Sequence, residues 1–259
     1  MDLAYTVSGF VVGFIVGMTG VGGGSLMTPL LVLVFGISPA VAVGTDLLYA
    51  AITKSGGSWV HARRGTVNWK IAGLLAIGSI PASIVTVLLL KHFSPDVKQL
   101  SMLITTVLGV ALILTAGALI FKDRLREYAK RKLSHLPAWS ERTVSIATVV
   151  VGLILGVLVT ISSVGAGALG AAFLFFLYPR LTAVQIVGTD IVHAVPLTAV
   201  AGMGHVALGS VDWILLGSLL LGSLPGIYFG SHLAAKIPER VLRPTLATML
   251  VLIGGKLVF

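Results

Sequence analysis

Cysteine is absent from this 259-residue chain, and acidic residues number only nine. The first absence excludes disulfides, zinc–thiolate sites, iron–sulfur clusters and cysteine nucleophiles, while leaving the redox compartment open. Charge of either sign is scarce, at 10% of residues, against roughly 25% in a soluble domain. No His pair stands at metal-ligand spacing with a carboxylate, so no metal is expected, and no other cofactor. No Walker-type motif is present. Gly165, Gly167 and Gly170 satisfy G-x-G-x-x-G with Asp190 at a suitable distance. That fingerprint needs a soluble strand–turn–helix context, which the flanking apolar runs deny it. The N-terminus lacks a basic n-region, having Asp2, and its apolar run leads into a Gly-rich motif and not a cleavage site. The first hydrophobic segment is therefore expected to stay in the fold.

What the chain has instead is apolar length. Hydrophobic residues make up 56% and the mean hydropathy is +1.04. Ile71 to Leu90, Leu100 to Phe121, Val144 to Ile161, Trp213 to Leu233 and Val241 to Val258 approach or exceed the ~20 residues that cross a bilayer as a helix. The fold class expected is an all-α polytopic membrane protein, multi-pass in the cell (inner) membrane. The net charge of +9 resides in a few inter-helix loops. Positive-inside placement explains it without nucleic acid.

The sequence repeats itself. Gly9, Gly13, Val21 and Gly22 return as Gly152, Gly156, Val164 and Gly165, and Val43-Gly44-Thr45-Asp46 returns as Val187-Gly188-Thr189-Asp190. His61, Gly65, Val67 and Trp69 return as His205, Gly209, Val211 and Trp213, and Gly78-Ser79 with Pro81 returns as Gly222-Ser223 with Pro225. The offset stays at 143 to 144 residues, which marks an internal duplication. The domains expected are a first membrane repeat, 1–121, a basic linker, 122–143, and a second membrane repeat, 144–259. Each half has about five hydrophobic segments, the second too short to span unaided: Leu26 to Phe35, and Ala168 to Tyr178. These are expected as half-helices or re-entrant arms after Gly-rich breaks, irregular backbone that must be buried or line a cavity.

Loop charge suggests orientation. Lys122, Arg124, Arg126, Lys130, Arg131, Lys132 and Arg142 outnumber Asp123, Glu127 and Glu141, which places the central loop in the cytoplasm. Arg63, Arg64 and Lys70 fall on the same side, whereas the matching second-half loop, His205 to Asp212, has no Lys or Arg. Opposite orientations of the halves, an inverted repeat as in many secondary transporters, would give that alternation. A parallel repeat stays open if the short segments do not count as crossings.

Polar residues inside the apolar segments are the candidates for function. Gly22, Gly23, Gly24 and Ser25 precede the first short segment; Ser162, Ser163, Gly165 and Gly167 precede the second. A helix starting at mid-membrane aims free N–H groups and a partial positive charge at its approach, which suits an anion. Ser25 is the expected N-cap, and a plain tight turn is the alternative. Asp46 and Asp190 follow Gly-Thr within hydrophobic segments. An intramembrane carboxylate suggests a proton carrier or cavity acceptor; a cap restarting a helix, or a hydrated site near the surface, is the alternative. Lys54 is a counter-ion or a snorkelling side chain. His193 is a further intramembrane candidate, whereas His61 and His205, beside Trp69 and Trp213, are expected as interfacial anchors. Gly9, Gly13 and Gly17, like Gly222, Gly226 and Gly230, are expected to let helices pack closely.

The Gly20-x-Gly22-Gly23-Gly24 run with Pro29 and Leu30, the Ala42-Val43-Gly44-Thr45 segment and His61-x-Arg63-Arg64-Gly65-x-Val67-x-Trp69 resemble the TauE/SafE family of sulfite exporters. The resemblance implies a permease, not an enzyme, for sulfite or a related sulfur-containing inorganic or organic anion. In that family's pattern Ser often stands where Asp46 and Asp190 are, a departure that bears on coupling and substrate. With the residue pattern, it gives the expectation of a secondary transporter with alternating access. Substrate would sit between the two breaks, with Ser25, Thr45, Ser163 and Thr189 as hydroxyl donors. Self-association into a homo-oligomer is left open. The competing classes are an intramembrane hydrolase pairing Ser25 or Ser163 with His193, and a membrane assembly factor without a polar cavity.

Overall fold

A computed structural model describes residues 3–19, 24–93, 97–128, 140–233 and 239–258. Among the described residues the chain is helical, with no strand. The helices are α1 (Leu3–Thr19), α2 (Gly24–Leu33), α3 (Pro39–Arg63), α4 (Trp69–Phe93), α5 (Val97–Tyr128), α6 (Glu141–Ser162), α7 (Ala168–Leu177), α8 (Ala183–Ala207), α9 (Trp213–Leu233) and α10 (Glu239–Val258). They follow the expected hydrophobic segments closely. The short ones, α2 and α7, have 10 residues each, so each is about 15 Å long, half a bilayer core. The basic stretch expected as linker begins on α5, which runs to Tyr128; residues 129–139 lie outside the described residues.

Local chemistry sets the helix ends. Ser140 Oγ accepts the Thr143 N–H at the start of α6, and Thr182 with Gln185 forms a reciprocal capping box on α8. Asp212 Oδ1 accepts the N–H groups of Ile214 and Leu215 at the start of α9, both at 2.9 Å.

Among the described residues five helices, α4, α5, α6, α8 and α9, have spans long and apolar enough to cross a membrane. Their outward faces are apolar too: Ile77, Leu88, Ile120, Ile214 and Leu221 are all more than half exposed. So much apolar exposure is incompatible with water as solvent and normal in lipid. The chain is a multi-pass membrane protein.

Helices pair across the two halves. A Cβ on Gly9 would strike the backbone of Leu219, and one on Gly13 that of Ser223. Both positions advance together, so α1 and α9 run parallel. The same holds for α6 and α4, where Gly152 meets Leu75 and Gly156 meets Ser79. Gly222, Gly226 and Gly230 answer from α9, each against the backbone of α1, as small-residue packing in membranes requires. At the centre α3 and α8 cross antiparallel: Gly44 meets His205, Gly202 meets Leu48 and Gly188 meets His61. The largest apolar cluster, with Met27, Leu31, Tyr49, Leu108, Leu112 and Leu219, draws on both halves. Neither half buries its faces alone.

Candidate functional site

The recurring Gly-Thr-Asp motif docks a loop from the other half. Gly44 of α3 lies against Ser210 O and the His205 side chain, leaving no room for a Cβ. Thr45 Oγ1 then accepts the Asp212 N–H at 3.0 Å. Reciprocally, Gly188 of α8 lies against His61 and Thr66 O, and Thr189 Oγ1 accepts the Asn68 N–H at 2.9 Å. Each loop is braced by its own histidine: His61 Nδ1 to Thr66 Oγ1 and His205 Nδ1 to Ser210 Oγ, both 2.9 Å. The two strongest repeat motifs are thus each other's partners.

One residue on, the aspartates face the protein interior. Asp46 is 0% and Asp190 1% exposed, each within an unbroken helix. Asp46 Oδ2 accepts from Thr28 Oγ1 of α2 at 2.5 Å. Asp190 rests on the Cα of Gly170 in α7 and faces the backbone N–H of Gly167. The Oδ1 atoms of both aspartates lack a hydrogen-bond partner. Lys54 of α3 donates to Ala166 O at 2.9 Å, and its charge acts on both carboxylates. Among the described residues the single contact ion pair is Lys70–Glu141, at 2.7 Å and on the surface. Lys54 therefore stands near both carboxylates without closing on either.

Two further pairs flank this centre. His193 Nε2 lies 2.8 Å from Ser79 Oγ of α4, with its Nδ1 unpartnered. At the equivalent places, 144 residues away in each case, Tyr49 faces Ser223 of α9, though neither hydroxyl reaches hydrogen-bond geometry.

The second Gly-rich break has an unusual backbone. Ser163 ends α6 at φ 58° and Gly167 precedes α7 at φ 132°. A left-handed serine costs on the order of 1 kcal/mol, and such strain concentrates at functional sites. Ser163 Oγ is buried without a hydrogen-bond partner, although it lies close enough to act on Asp46. Charged residues at the centre of a membrane helix cost ~2.5–3.5 kcal/mol each, and each unmet buried hydrogen bond adds ~1–3 kcal/mol. Such a centre works against stability.

The family model described as Sulfite exporter TauE/SafE matches residues 5–257. The chain belongs to the TauE/SafE family. It is 39% identical to the probable membrane transporter protein YjnA of Bacillus subtilis, over the full length of both chains. It is 29% identical to a second probable membrane transporter protein of that organism, YdhB, over 94% of this chain and 97% of the relative. A probable membrane transporter protein of Methanocaldococcus jannaschii is 28% identical over 76% of this chain and 69% of its own. No solved structure matches. As a TauE/SafE member the chain is a membrane transporter and not an enzyme, and the family implies an anion as cargo.

Within this TauE/SafE fold several expectations need correction. Asp46 and Asp190 neither cap a restarted helix nor sit at a hydrated surface, because α3 and α8 continue through them and bury them. Ser25 is not an N-cap, since α2 begins at Gly24. Lys54 turns inward to Ala166 O and does not snorkel outward. His205 is 1% exposed, with Nε2 at 2.9 Å from Thr160 O, so it is no interfacial anchor. The Thr45 and Thr189 hydroxyls, expected as donors to substrate, each accept a loop N–H, and Thr189 Oγ1 also donates to Gln185 O at 2.7 Å. Ser162 Oγ donates to Leu158 O at 2.7 Å and accepts the Val164 N–H at 3.2 Å, so it serves the turn. Ser163, Gly165, Gly167, Asp46, Asp190, Lys54 and His193 gather around the second break, with Gly24 opening α2. Gly22 and Gly23 lie outside the described residues. Thr28 and Tyr49 carried no motif in the sequence, and Ser79 and Ser223 stood there only as part of the repeat. The 144-residue register linking Tyr49 to His193 and Ser79 to Ser223 was the available signal for those residues, and Thr28 had none.

Proposed function

We propose that the chain is a secondary transporter that moves sulfite, or a related sulfur-containing oxyanion or organosulfonate, by alternating access. The observation that carries this is Lys54 reaching from the first half to Ala166 O in the Gly-rich break of the second, beside two buried carboxylates. A cation at a half-helix N-terminus is a setting for an anion. Substrate would lie against the Gly167 N–H, Ser163 Oγ and the Lys54 ammonium, with Asp46 and Asp190 as proton carriers and His193 as a second polar wall.

The halves, residues 1–121 and 144–259, are in this reading an inverted repeat with the basic segment between them in the cytoplasm of a cell-membrane protein. Antiparallel α3 and α8, equivalent helices at the centre, support opposite orientations, since a repeat about the membrane normal would leave them parallel. Rocking of one half on the other would expose the site alternately, α2 and α7 serving as re-entrant half-helices. The repeat-to-repeat pairing within one chain makes a second copy unnecessary for the site.

Purified protein in proteoliposomes, loaded with labelled sulfite and challenged with sulfate and organosulfonates, tests the reading. Saturable sulfite flux above that of protein-free vesicles is the expected outcome. Folded protein with no flux of any sulfur oxyanion defeats it.

A further inference from the structure

Asp46 and Asp190 have one lysine, Lys54, near both. Both are buried, and each keeps an Oδ1 without a partner. Lys54 is parked on the Ala166 carbonyl at 2.9 Å, a neutral acceptor that an incoming anion can replace. The second half supplies no matching cation: 144 residues beyond Lys54 stands Thr198, whose hydroxyl is bound to Ala194 O at 2.8 Å. From the elements packed around the centre come Thr28 of α2, Ser79 of α4, Ser163 beyond α6 and Ser223 of α9, all uncharged. The Lys, Arg and Glu residues of α4 and α6, and His232 of α9, lie at the ends of those helices. His193 and Tyr49 also face the centre, while His205 and His61 lie against Gly44 and Gly188, engaged with Ser210, Thr160 and Thr66.

Low-dielectric surroundings tolerate little net charge. With His193 and Tyr49 uncharged, Lys54 balances one ionised aspartate, and the empty site is neutral when the other aspartate holds a proton. An anion that takes Lys54 restores a surplus negative charge unless the remaining carboxylate is protonated as well.

We infer that the site loads a singly charged anion together with one proton, the anion taking Lys54 and the proton taking a free aspartate oxygen, Asp46 Oδ1 or Asp190 Oδ1. This rests on the transport reading above and adds its stoichiometry and cargo charge. The protonated carboxyl becomes a donor and can bond to the anion it would otherwise repel. Lysine keeps its proton throughout, and no bond other than O–H is made or broken. A doubly charged anion leaves charge unbalanced even with both aspartates protonated. Hydrogensulfite and monosulfonates are therefore preferred to sulfate.

The test uses the full chain in proteoliposomes whose membrane potential is clamped, with labelled sulfite as the transported probe and protein-free vesicles subtracted. Expected are uptake driven by an acid exterior, no response to the clamped potential, and stronger competition by methanesulfonate than by sulfate. For Asp46→Asn and Asp190→Asn, the ratio of acid-driven uptake to sulfite–sulfite exchange should fall toward its zero-gradient value. Wild-type flux that follows the potential and ignores the pH gradient overturns the inference. So does better competition by sulfate, or an unchanged ratio in both variants. If a variant fails to fold, the wild-type potential and competition measurements still decide. No sulfite flux of any kind defeats the transport reading itself, which is a separate result.

Discussion

Thr45 Oγ1 accepts the backbone N–H of Asp212 at 3.0 Å, across 167 residues of sequence. Its counterpart, Thr189, holds the N–H of Asn68 at 2.9 Å. In both, a helix of one half holds the loop that starts a helix of the other. Thr45→Val or Thr189→Val keeps the shape and leaves a part-buried N–H without its acceptor. Each should cost ~1 kcal/mol of stability, read as a lowered midpoint in thermal or denaturant unfolding in detergent. An unchanged midpoint in both would remove the clamp role.

Parallel contact of α1 with α9, and of α4 with α6, depends on glycine. Gly222→Ala and Gly156→Ala place a Cβ against backbone, of α1 in one case and of Ser79 in the other. Overpacking of this kind costs ~1–3 kcal/mol. Gly56 meets nothing within 4 Å, so Gly56→Ala should be neutral or stabilise by up to ~1 kcal/mol through helix propensity. Unfolding midpoints of the three variants measured side by side decide it.

Adjacent serines should behave differently. Ser162→Ala removes a turn-holding hydroxyl and should lower the unfolding midpoint, by ~1 kcal/mol. Ser163→Ala removes a buried hydroxyl with no hydrogen-bond partner and should leave the midpoint unchanged. Loss of one substrate hydrogen bond, ~1 kcal/mol, would raise the KM for sulfite roughly fivefold in Ser163→Ala. A normal KM in that variant argues against Ser163 as a ligand.

The Lys70–Glu141 pair ties the starts of α4 and α6 at 2.7 Å, with side chains 66% and 88% exposed. The hydrogen bond from Lys70, and secondly its charge, holds the Glu141 carboxyl below its ordinary range. The same bond and charge raise Lys70. The contribution is therefore complete at neutral pH. It fades as pH falls through the folded-state titration of Glu141, and again as pH rises through that of Lys70. Solvent and salt screen so exposed a pair. Glu141→Gln should leave the unfolding midpoint at physiological salt close to wild type, with any difference shrinking further in acid.

Much of this protein was legible in its residue order. Apolar length set the membrane class and located the helices, because a bilayer demands about 20 apolar residues per crossing. Even the short α2 and α7 were visible as pieces too brief to span. The 144-residue register announced two halves. What the sequence could not reveal was which half supplies each contact. His61 and His205 looked like interfacial anchors because both neighbour tryptophans; only packing showed His205 buried against Thr160. Thr45 and Thr189 looked like ligands because hydroxyls beside an aspartate suit an anion; only the docked loops showed them already bound. Lys54 and Asp190, 136 residues apart, share a centre for the same reason. Local pattern dictates helices through solvent and propensity, whereas their partners follow from close backbone packing between segments far apart in the chain. Only the tertiary structure could bring one lysine near two aspartates.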